Sequence, residues 1–343
     1  SVKPPRTGAA FDAWLSLKAP PALMRRALET IYRDGVCAEE SRYRRRTAAS
    51  LGLETPKPAP IRGKISALFV GAPQPSFLAL ERAWRAHGGA IAGTFTSFSA
   101  FDQLHDDKFD AVILNAVDDA PAALSLCGAM RRNAKLHHMP ALMLIGGDDS
   151  RKAALERGAS WLAEPKDDLD AIVGWLAEDV RRSRKRREAL HALECIPGPQ
   201  APWNGEQFAA HIETLSGFHH QRGRPLTIGS LRIMSAAART EKWKRGFNDL
   251  VQLAGRLVRA SDSHATFDLD AVGFIFPATT EQGARIALKR IESVWDCTAF
   301  AAGEATGAPL RFDLRAFELA PGESGAALHA RLMEALEDHV KLA

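Results

Sequence analysis

Two proline-rich stretches divide this chain of 343 residues into three parts. Residues 56–60 read PKPAP, and residues 197–202 read PGPQAP. Neither stretch can continue a helix, because proline lacks the backbone N–H and disfavours the helical conformation in the residue before it. A chain of this length is expected to contain two domains, or two and a fragment, at about 100–200 residues per domain. We therefore expect separately folded parts on either side of each joint.

The composition limits what these parts can be. Hydrophobic residues make up 46% of the chain, as in ordinary globular proteins. No run approaches about 18 apolar residues, so no membrane span is expected, and the first segment lacks the apolar core of a signal peptide. The cysteines are far apart and are expected to be reduced thiols in the cytoplasm; they are Cys37, Cys127, Cys195 and Cys297. A net charge of +4 is too small to predict a nucleic-acid partner.

Short apolar runs alternate with helical patterns between residues 62 and 192. The runs ISALFVGA, FDAVILNAV and PALMLIGG are typical of buried strands, and a helical pattern follows each of them. This alternation predicts βαβ units on a parallel sheet. The last helix of this part includes RRSRKRR at 181–187, which we interpret as a charged interdomain helix rather than a nucleic-acid tract.

The last part, residues 200–343, has a different order of elements. A helix leads to the strand RPLTIGSLRIM, and a second long helix precedes the hairpin-like sequence HATFDLDAVGFIFP. A third helix, another strand and a terminal helix complete the part. This order predicts an α+β domain with a mainly antiparallel sheet.

The order of elements in 62–192 resembles the receiver domain of response regulators, which has a flavodoxin-like parallel sheet. The resemblance implies acids after the first strand, a phosphorylated Asp at the end of the third and a Lys after the fifth. Gly71 and Ala72 stand in place of the acids. Asn115 takes the place of the Asp, and Glu164 that of the Lys. An amide cannot form an acyl phosphate, so we predict a pseudo-receiver.

Residues 1–55 contain a stretch that resembles the last strand and helix of another receiver, with Lys18 before Ala19-Pro20. Two interpretations remain open. The segment is either the C-terminal remnant of a first receiver plus a connecting helix, or an N-terminal helical hairpin. In the first case the basic run Arg42–Arg46 falls on the connecting helix and is expected to be a solvated face.

The sequence FDLDAVGFIFPATTEQGARIALKRIE resembles the GGDEF region of diguanylate cyclases, and the resemblance extends over residues 200–343. Aligned through Pro277, the signature becomes DLDAV at 268–272. The resemblance implies a nucleotidyl-cyclase-like fold for this domain. In the family, the glycines let the backbone approach GTP and the acids hold divalent cations against its phosphates.

Most of that chemistry is missing from this chain. Asp268 and Leu269 replace the glycines, and Ala271 replaces one of the acids. Arg232 stands roughly where the family has a metal-binding Asp. We therefore expect no catalytic residue, no metal and no enzymatic activity. The alternative is a weak residual cyclase or GTPase that uses Asp268 or Asp270.

One family motif survives directly before the signature. The sequence Arg259-Ala260-Ser261-Asp262 has the Arg-x-x-Asp pattern and the five-residue spacing of the family's inhibitory site, and Arg290 matches its helix arginine. The resemblance implies that Arg259, Asp262 and Arg290 bind cyclic di-GMP. A guanidinium can pair with guanine or phosphate, and a carboxylate can accept from guanine N–H groups. The alternative is a simple i,i+3 Arg–Asp pair at a helix end.

The resemblance as a whole implies a non-catalytic cyclic di-GMP receptor and adaptor with a receiver-receiver-GGDEF layout and no further cofactor. Such a protein is expected to form a homodimer through its pseudo-receiver. Its expected partners are proteins such as a proteolytic adaptor or a polar factor, not nucleic acid or membrane, in regulated proteolysis or polar localisation during the cell cycle. It is expected in the cytoplasm, including the cell pole. A ligand-independent dimeric scaffold is the main alternative.

Overall fold

The computed structural model describes residues 21–55, 61, 63–72, 74–105, 109–133, 136–194, 202–304 and 307–337. Two compact units divide the chain. The first is built from residues up to 34 and from 59–188, and the second from residues 35–58 and from 189 onward. The division into a receiver remnant (1–55), a pseudo-receiver (62–192) and a degenerate GGDEF domain (200–343) stays a prediction.

Helix α1 (Pro21–Ser50) is the first described element. Its residues up to Asp34 belong to the first unit, and those from Gly35 onward belong to the second. The strand predicted before it, and one arm of the alternative helical hairpin, would fall in residues 1–20, which lie outside the described residues.

The first unit has a five-stranded parallel sheet in the order β2-β1-β3-β4-β5. This is the flavodoxin-like strand order. The strands are β1 (Ile65–Val70), β2 (Gly89–Thr94), β3 (Ala111–Asn115), β4 (Ala141–Leu144) and β5 (Trp161–Ala163). The helices that connect and follow them are α2 (Pro75–Ala86), α3 (Ser97–His105), α4 (Ala120–Arg132), α5 (Asp148–Glu156) and α6 (Leu169–Glu194).

Both faces of this sheet are buried at its central strands β1, β3 and β4. Successive side chains of a strand point to opposite faces, so Leu68 of β1 packs in a core with Leu104 and Leu126 of α3 and α4. Its neighbour Phe69 packs in a second core with Trp84 of α2. Helices cover both faces at the centre of the sheet, so β1, β3 and β4 are mostly apolar rather than alternating, whereas the edge strand β2 is largely exposed. The apolar runs of the sequence therefore predicted these three strands, but they gave no signal for β2.

The second unit has a four-stranded antiparallel sheet in the order β7-β8-β6-β9. The order along the chain from β6 to β9 is βαββαβ, with one helix before it and one after it. Its elements are α7 (Gly205–Arg222), β6 (Leu226–Met234), α8 (Glu241–Leu257), β7 (Ser263–Phe267), β8 (Ala271–Pro277), α9 (Glu281–Asp296), β9 (Arg311–Glu318) and α10 (Gly325–Glu337).

The predicted fold class is confirmed. The first unit is a receiver-like α/β unit with a flavodoxin-like sheet, and the second is an α+β unit of the nucleotidyl-cyclase kind. The predicted hairpin is formed by β7 and β8, with residues 268–270 in its turn. Among the described helices, none has the length and apolar character needed to cross a membrane.

Candidate functional site

The segment from Arg259 to Asp262 forms a closed turn between α8 and β7. The backbone N–H of Asp262 donates to the carbonyl of Arg259 over 2.9 Å. In return, the N–H of Arg259 donates to Oδ2 of Asp262 over 2.9 Å. The Ser261 hydroxyl donates to Oδ1 over 3.3 Å. Asp262 is 3% exposed, so its carboxylate closes the turn from the inside.

Burial also changes the acidity of this carboxyl group. Desolvation raises the pKa of Asp262 to about 6, opposed by the Arg259 N–H and by the positive charges of Arg259 and Arg44. Burial disfavours the charged form of an acid, while donors and cations favour it. The carboxyl group is therefore poised to change its protonation state near pH 6.

The two predicted arginines are on the surface beside this turn. The side chains of Arg259 and Arg290 are exposed. The Arg290 guanidinium, on α9, donates to the carbonyl of Leu257, two residues before Arg259. The structure thus brings all three predicted site residues to one place, with two cations outward and the carboxylate inward. The Arg259–Asp262 contact runs through the backbone N–H, which leaves the Arg259 guanidinium available on the surface.

A third arginine, which the sequence did not single out, lies directly behind the turn. Arg44 of α1 is fully buried. Its Nη2 donates to the carbonyl of Asp262 over 2.9 Å and to that of Ala260 over 3.2 Å. The prediction that the run Arg42–Arg46 forms a solvated face is therefore wrong for Arg44, although Arg42 and Arg46 are exposed. Two carbonyls of the turn provide the acceptors that let this guanidinium be buried.

Arg44 is held by a buried ion pair within the second unit. Its Nε donates to Oε1 of Glu40 over 2.8 Å, and Nε2 of His211 lies 2.8 Å from the same oxygen. Burial alone would raise the pKa of Glu40, but the charges and hydrogen bonds of His211 and Arg44 lower it overall. The i,i+4 spacing of Glu40 and Arg44 was the one sequence signal for this pair.

The hairpin turn that carries the signature differs from a glycine turn. Asp268, in the first glycine's place, adopts a left-handed conformation with φ 51°, which a non-glycine residue rarely takes. The carbonyl of Leu269 accepts from the indole N–H of Trp243 over 2.6 Å. The Trp243 indole thus holds the backbone of this turn by a hydrogen bond.

The remaining acid of the signature, Asp270, is paired with two arginines. Its Oδ2 accepts from Nη2 of Arg239 over 2.9 Å and from Nη2 of Arg232 over 3.3 Å. Asp270 is itself buried, and the Arg239 guanidinium lies 4.0 Å above the Trp243 ring. Two guanidinium groups therefore neutralise the carboxylate in this turn. Arg239 was not predicted as part of the site, because it lies in the irregular segment between β6 and α8.

The carboxyl edge of the parallel sheet carries Asn115 where a receiver has its Asp. Asn115 is the last residue of β3 and is 3% exposed. Its Oδ1 accepts from the N–H of Val117 over 3.1 Å, which ties the amide to its own turn. Gly71, after β1, has φ 134°, and a Cβ placed there would lie 2.7 Å from Cβ of Asn115. An acidic side chain, of the kind that a receiver carries after its first strand, therefore does not fit at Gly71 while Asn115 is in this position.

Glu164 follows β5 at the place expected for the receiver lysine. Its carboxylate lies 3.4 Å from Nη2 of Arg151 and 2.8 Å from Nζ of Lys166. Within the part of the chain that the structure describes, no group of three or more His, Cys, Asp or Glu side chains could hold a metal ion.

Comparison with known proteins finds similarity to solved structures only. No model of a protein family matches the sequence, and no curated protein sequence matches it. One similar structure is a response regulator from Chloroflexus aurantiacus, with 20% identity and a TM-score of 0.32. The match covers 35% of this chain and 99% of that one.

Two further similar structures are GGDEF-type domains. The GGDEF domain of DgcB from Caulobacter crescentus, solved in complex with c-di-GMP, is 17% identical with a TM-score of 0.33. The match covers 42% of this chain and 88% of that one. The active GGEEF domain of a diguanylate cyclase from Vibrio cholerae is 13% identical with a TM-score of 0.35. The match covers 41% of this chain and 92% of that one.

Proposed function

We propose that this protein is a non-catalytic receptor for cyclic di-GMP. One observation carries the proposal: Arg259 and Arg290 are exposed together at the turn that Asp262 closes, directly before the signature hairpin. The ligand is a dianion with two guanines. Guanidinium groups suit it because they pair bidentately with guanine O6 and N7 or with phosphate, and stack on purine rings.

The three site residues have different tasks in this proposal. Arg259 and Arg290 contact the ligand, since their guanidinium groups are at the surface. Asp262 keeps Arg259 in place, because its carboxylate accepts from the Arg259 N–H. A direct hydrogen bond from guanine to Asp262, as the sequence predicted, requires the carboxylate to leave that N–H and turn outward.

The absence of catalysis is the second element of the proposal. Cyclase chemistry needs divalent cations held by acids against the GTP phosphates. Asp270 is the one acid left in the last three positions of the signature, and Arg232 and Arg239 already neutralise it. The Cβ atoms of Asp268 and Leu269, where the resemblance implies glycines, and the hydrogen-bonded Leu269 carbonyl further support the loss of the nucleotide approach.

The adaptor role rests on the family resemblance. It includes a homodimer formed through the pseudo-receiver, contacts with a proteolytic adaptor or polar factor, and action in the cytoplasm and at the cell pole. Asn115 in place of the phosphorylated Asp supports regulation by the dinucleotide rather than by phosphorylation. The alternative of a ligand-independent scaffold predicts the same self-association with and without cyclic di-GMP, as measured by analytical ultracentrifugation.

Calorimetric titration with cyclic di-GMP tests the receptor. Wild type is expected to bind at micromolar ligand, and Arg259→Ala and Arg290→Ala are each expected to bind at least about tenfold more weakly, from roughly 1–3 kcal/mol per bidentate contact. Lys289→Ala is the matched control, because it removes a neighbouring exposed cation from the same helix. No heat of binding for wild type would overturn the proposal. If Lys289→Ala lost as much affinity as the two site variants, binding would depend on general positive charge and not on the assigned site.

A further inference from the structure

Helix α1 reaches the turn of the proposed dinucleotide site from the inside. Arg44 of α1 donates to the carbonyls of Ala260 and Asp262, the second and last residues of the turn. Arg44 is separated from Asp262 by 218 positions in the sequence, yet both belong to the second unit. The same turn is thus bounded by the exposed Arg259 on its outer side and by a buried guanidinium on its inner side.

We propose that Arg44 is a positioning residue for this site and that α1 is the element that responds to its occupation. The proposal rests on the proposed function, because it concerns the same turn. A guanidinium has several donors in a fixed plane, so one side chain can bind two carbonyls and a carboxylate together. The shape of the turn, and with it the direction of Arg259, then depends on where α1 lies within the second unit.

The contacts of Arg44 within α1 and α7 explain why it can act in this way. Glu40 compensates its charge from within α1, and His211 of α7 holds Glu40 from the opposite side. The hydroxyl of Thr47 lies 3.0 Å from Nδ1 of His211. These side chains form one continuous buried chain from α7 through α1 to the turn. A shift of α1 would break charged hydrogen bonds that have no solvent to replace them.

Two buried atoms of this network have no hydrogen-bond partner among the residues that the structure describes. Nη1 of Arg44 and Oε2 of Glu40 are both buried without one. A buried donor or acceptor without a partner raises the free energy of the folded arrangement. Ligand binding that reorders the turn is transmitted to α1 through the hydrogen bonds of Arg44, and because coupling is reciprocal, a displaced α1 changes the ligand affinity.

Affinity measurements separate a positioning role from a merely structural one. Arg44→Lys keeps the charge beside Glu40 but cannot bind two carbonyls and the carboxylate in the same plane. We expect it to bind cyclic di-GMP about tenfold more weakly than wild type, within the range typical of coupling between sites. Arg42→Lys, an exposed change on the same helix, is expected to leave the affinity unchanged. A structural role alone would lower the melting temperature but not the affinity of the folded protein.

Amide hydrogen exchange on the wild-type protein gives a second readout that needs no variant. Saturating cyclic di-GMP is expected to slow exchange in residues 40–47 as well as in 259–262. Two results would overturn this inference and leave the proposed receptor function intact, provided that the wild-type protein binds the dinucleotide. One is an affinity of Arg44→Lys equal to that of wild type. The other is ligand-induced protection confined to residues 259–262. A wild-type protein that does not bind the dinucleotide would overturn the proposed function, and the positioning role with it.

Discussion

Oδ2 of Asp270 lies 2.9 Å from Nη2 of Arg239, in the turn where the family signature holds metal-binding acids. Arg232, on the neighbouring strand, contacts the same oxygen. Two fixed protein cations thus contact the carboxylate that the GGDEF resemblance would assign to a divalent metal. The carboxylate of Asp270 is therefore compensated by cations of the protein itself.

The first prediction concerns turnover. With GTP and either Mg²⁺ or Mn²⁺, the wild-type protein is expected to form no cyclic di-GMP and no GDP, because Asp270 is engaged by arginines. Chromatography of the nucleotides after long incubation measures this, with an active diguanylate cyclase as the positive control. Turnover that disappears in Asp270→Ala would establish the residual enzyme instead.

The second prediction concerns the buried ion pair behind the turn. Glu40→Ala removes the carboxylate from a fully buried Arg44 and leaves that charge uncompensated. Removing one partner of a buried pair costs about 3–5 kcal/mol, and we expect the free energy of unfolding to fall by that amount. Urea denaturation followed by tryptophan fluorescence measures it. Glu54→Ala, an exposed change after the same helix, should leave the free energy of unfolding unchanged. If Glu40→Ala also left it unchanged, the buried ion pair of Glu40 and Arg44 would be contradicted.

Much of the fold could be predicted from the sequence because its signals are local. Apolar runs bounded by turns locate strands such as β3 and β8, and periodic helices lie between them. The Arg259–Asp262 turn could also be predicted from the sequence, since only a few residues separate it from the hairpin. The burial of Arg44 could not be predicted, because it depends on carbonyl groups more than 200 positions away in the sequence. The run of basic residues does not indicate which of its side chains a turn distant in the sequence will bury.

The third prediction concerns phosphorylation of the pseudo-receiver. Asn115→Asp restores the missing carboxylate, yet it is not expected to make the unit a phosphoacceptor. Gly71 and Ala72 supply no ligand for Mg²⁺, and Glu164, paired with Arg151 and Lys166, supplies no cation at the position of the lysine. Incubation with acetyl phosphate and Mg²⁺, followed by mass spectrometry of the intact protein, measures it. A gain of one phosphoryl group in the variant but not in wild type would show that Asn115 alone separates this unit from an active receiver.

The fourth prediction concerns the glycine beside Asn115. Gly71→Ala places a Cβ 2.7 Å from Cβ of Asn115 at a φ of 134°, where alanine is strained. We expect a loss of stability of more than about 1 kcal/mol, seen as a lower melting temperature of the first unit. Gly146→Ala is the matched control, since a Cβ there meets nothing within 4 Å. Equal melting temperatures for the two variants would contradict the tight contact.

The fifth prediction concerns pH and Asp262. Burial raises its pKa from 3.8 to about 6, so between these values the folded protein holds a proton that the unfolded chain has released. Stability contributed by this group is therefore lost as the pH rises from about 4 to about 6, and it stays lost above pH 6. Two pH units correspond to about 3 kcal/mol. Asp262→Asn cannot ionise, and its amide oxygen can still accept from the Arg259 N–H.

The measurement is the free energy of unfolding of Asp262→Asn relative to wild type at pH 4 and pH 7. We expect the variant to gain about 2–3 kcal/mol over wild type between these two values. Groups with opposite shifts, such as His264, whose pKa burial lowers to about 4, are common to both proteins and cancel in the difference. Asp268→Asn, an exposed change in the neighbouring hairpin turn, should show no such dependence. A difference between wild type and Asp262→Asn that is the same at both pH values would mean that the carboxyl group ionises as freely in the turn as in the unfolded chain.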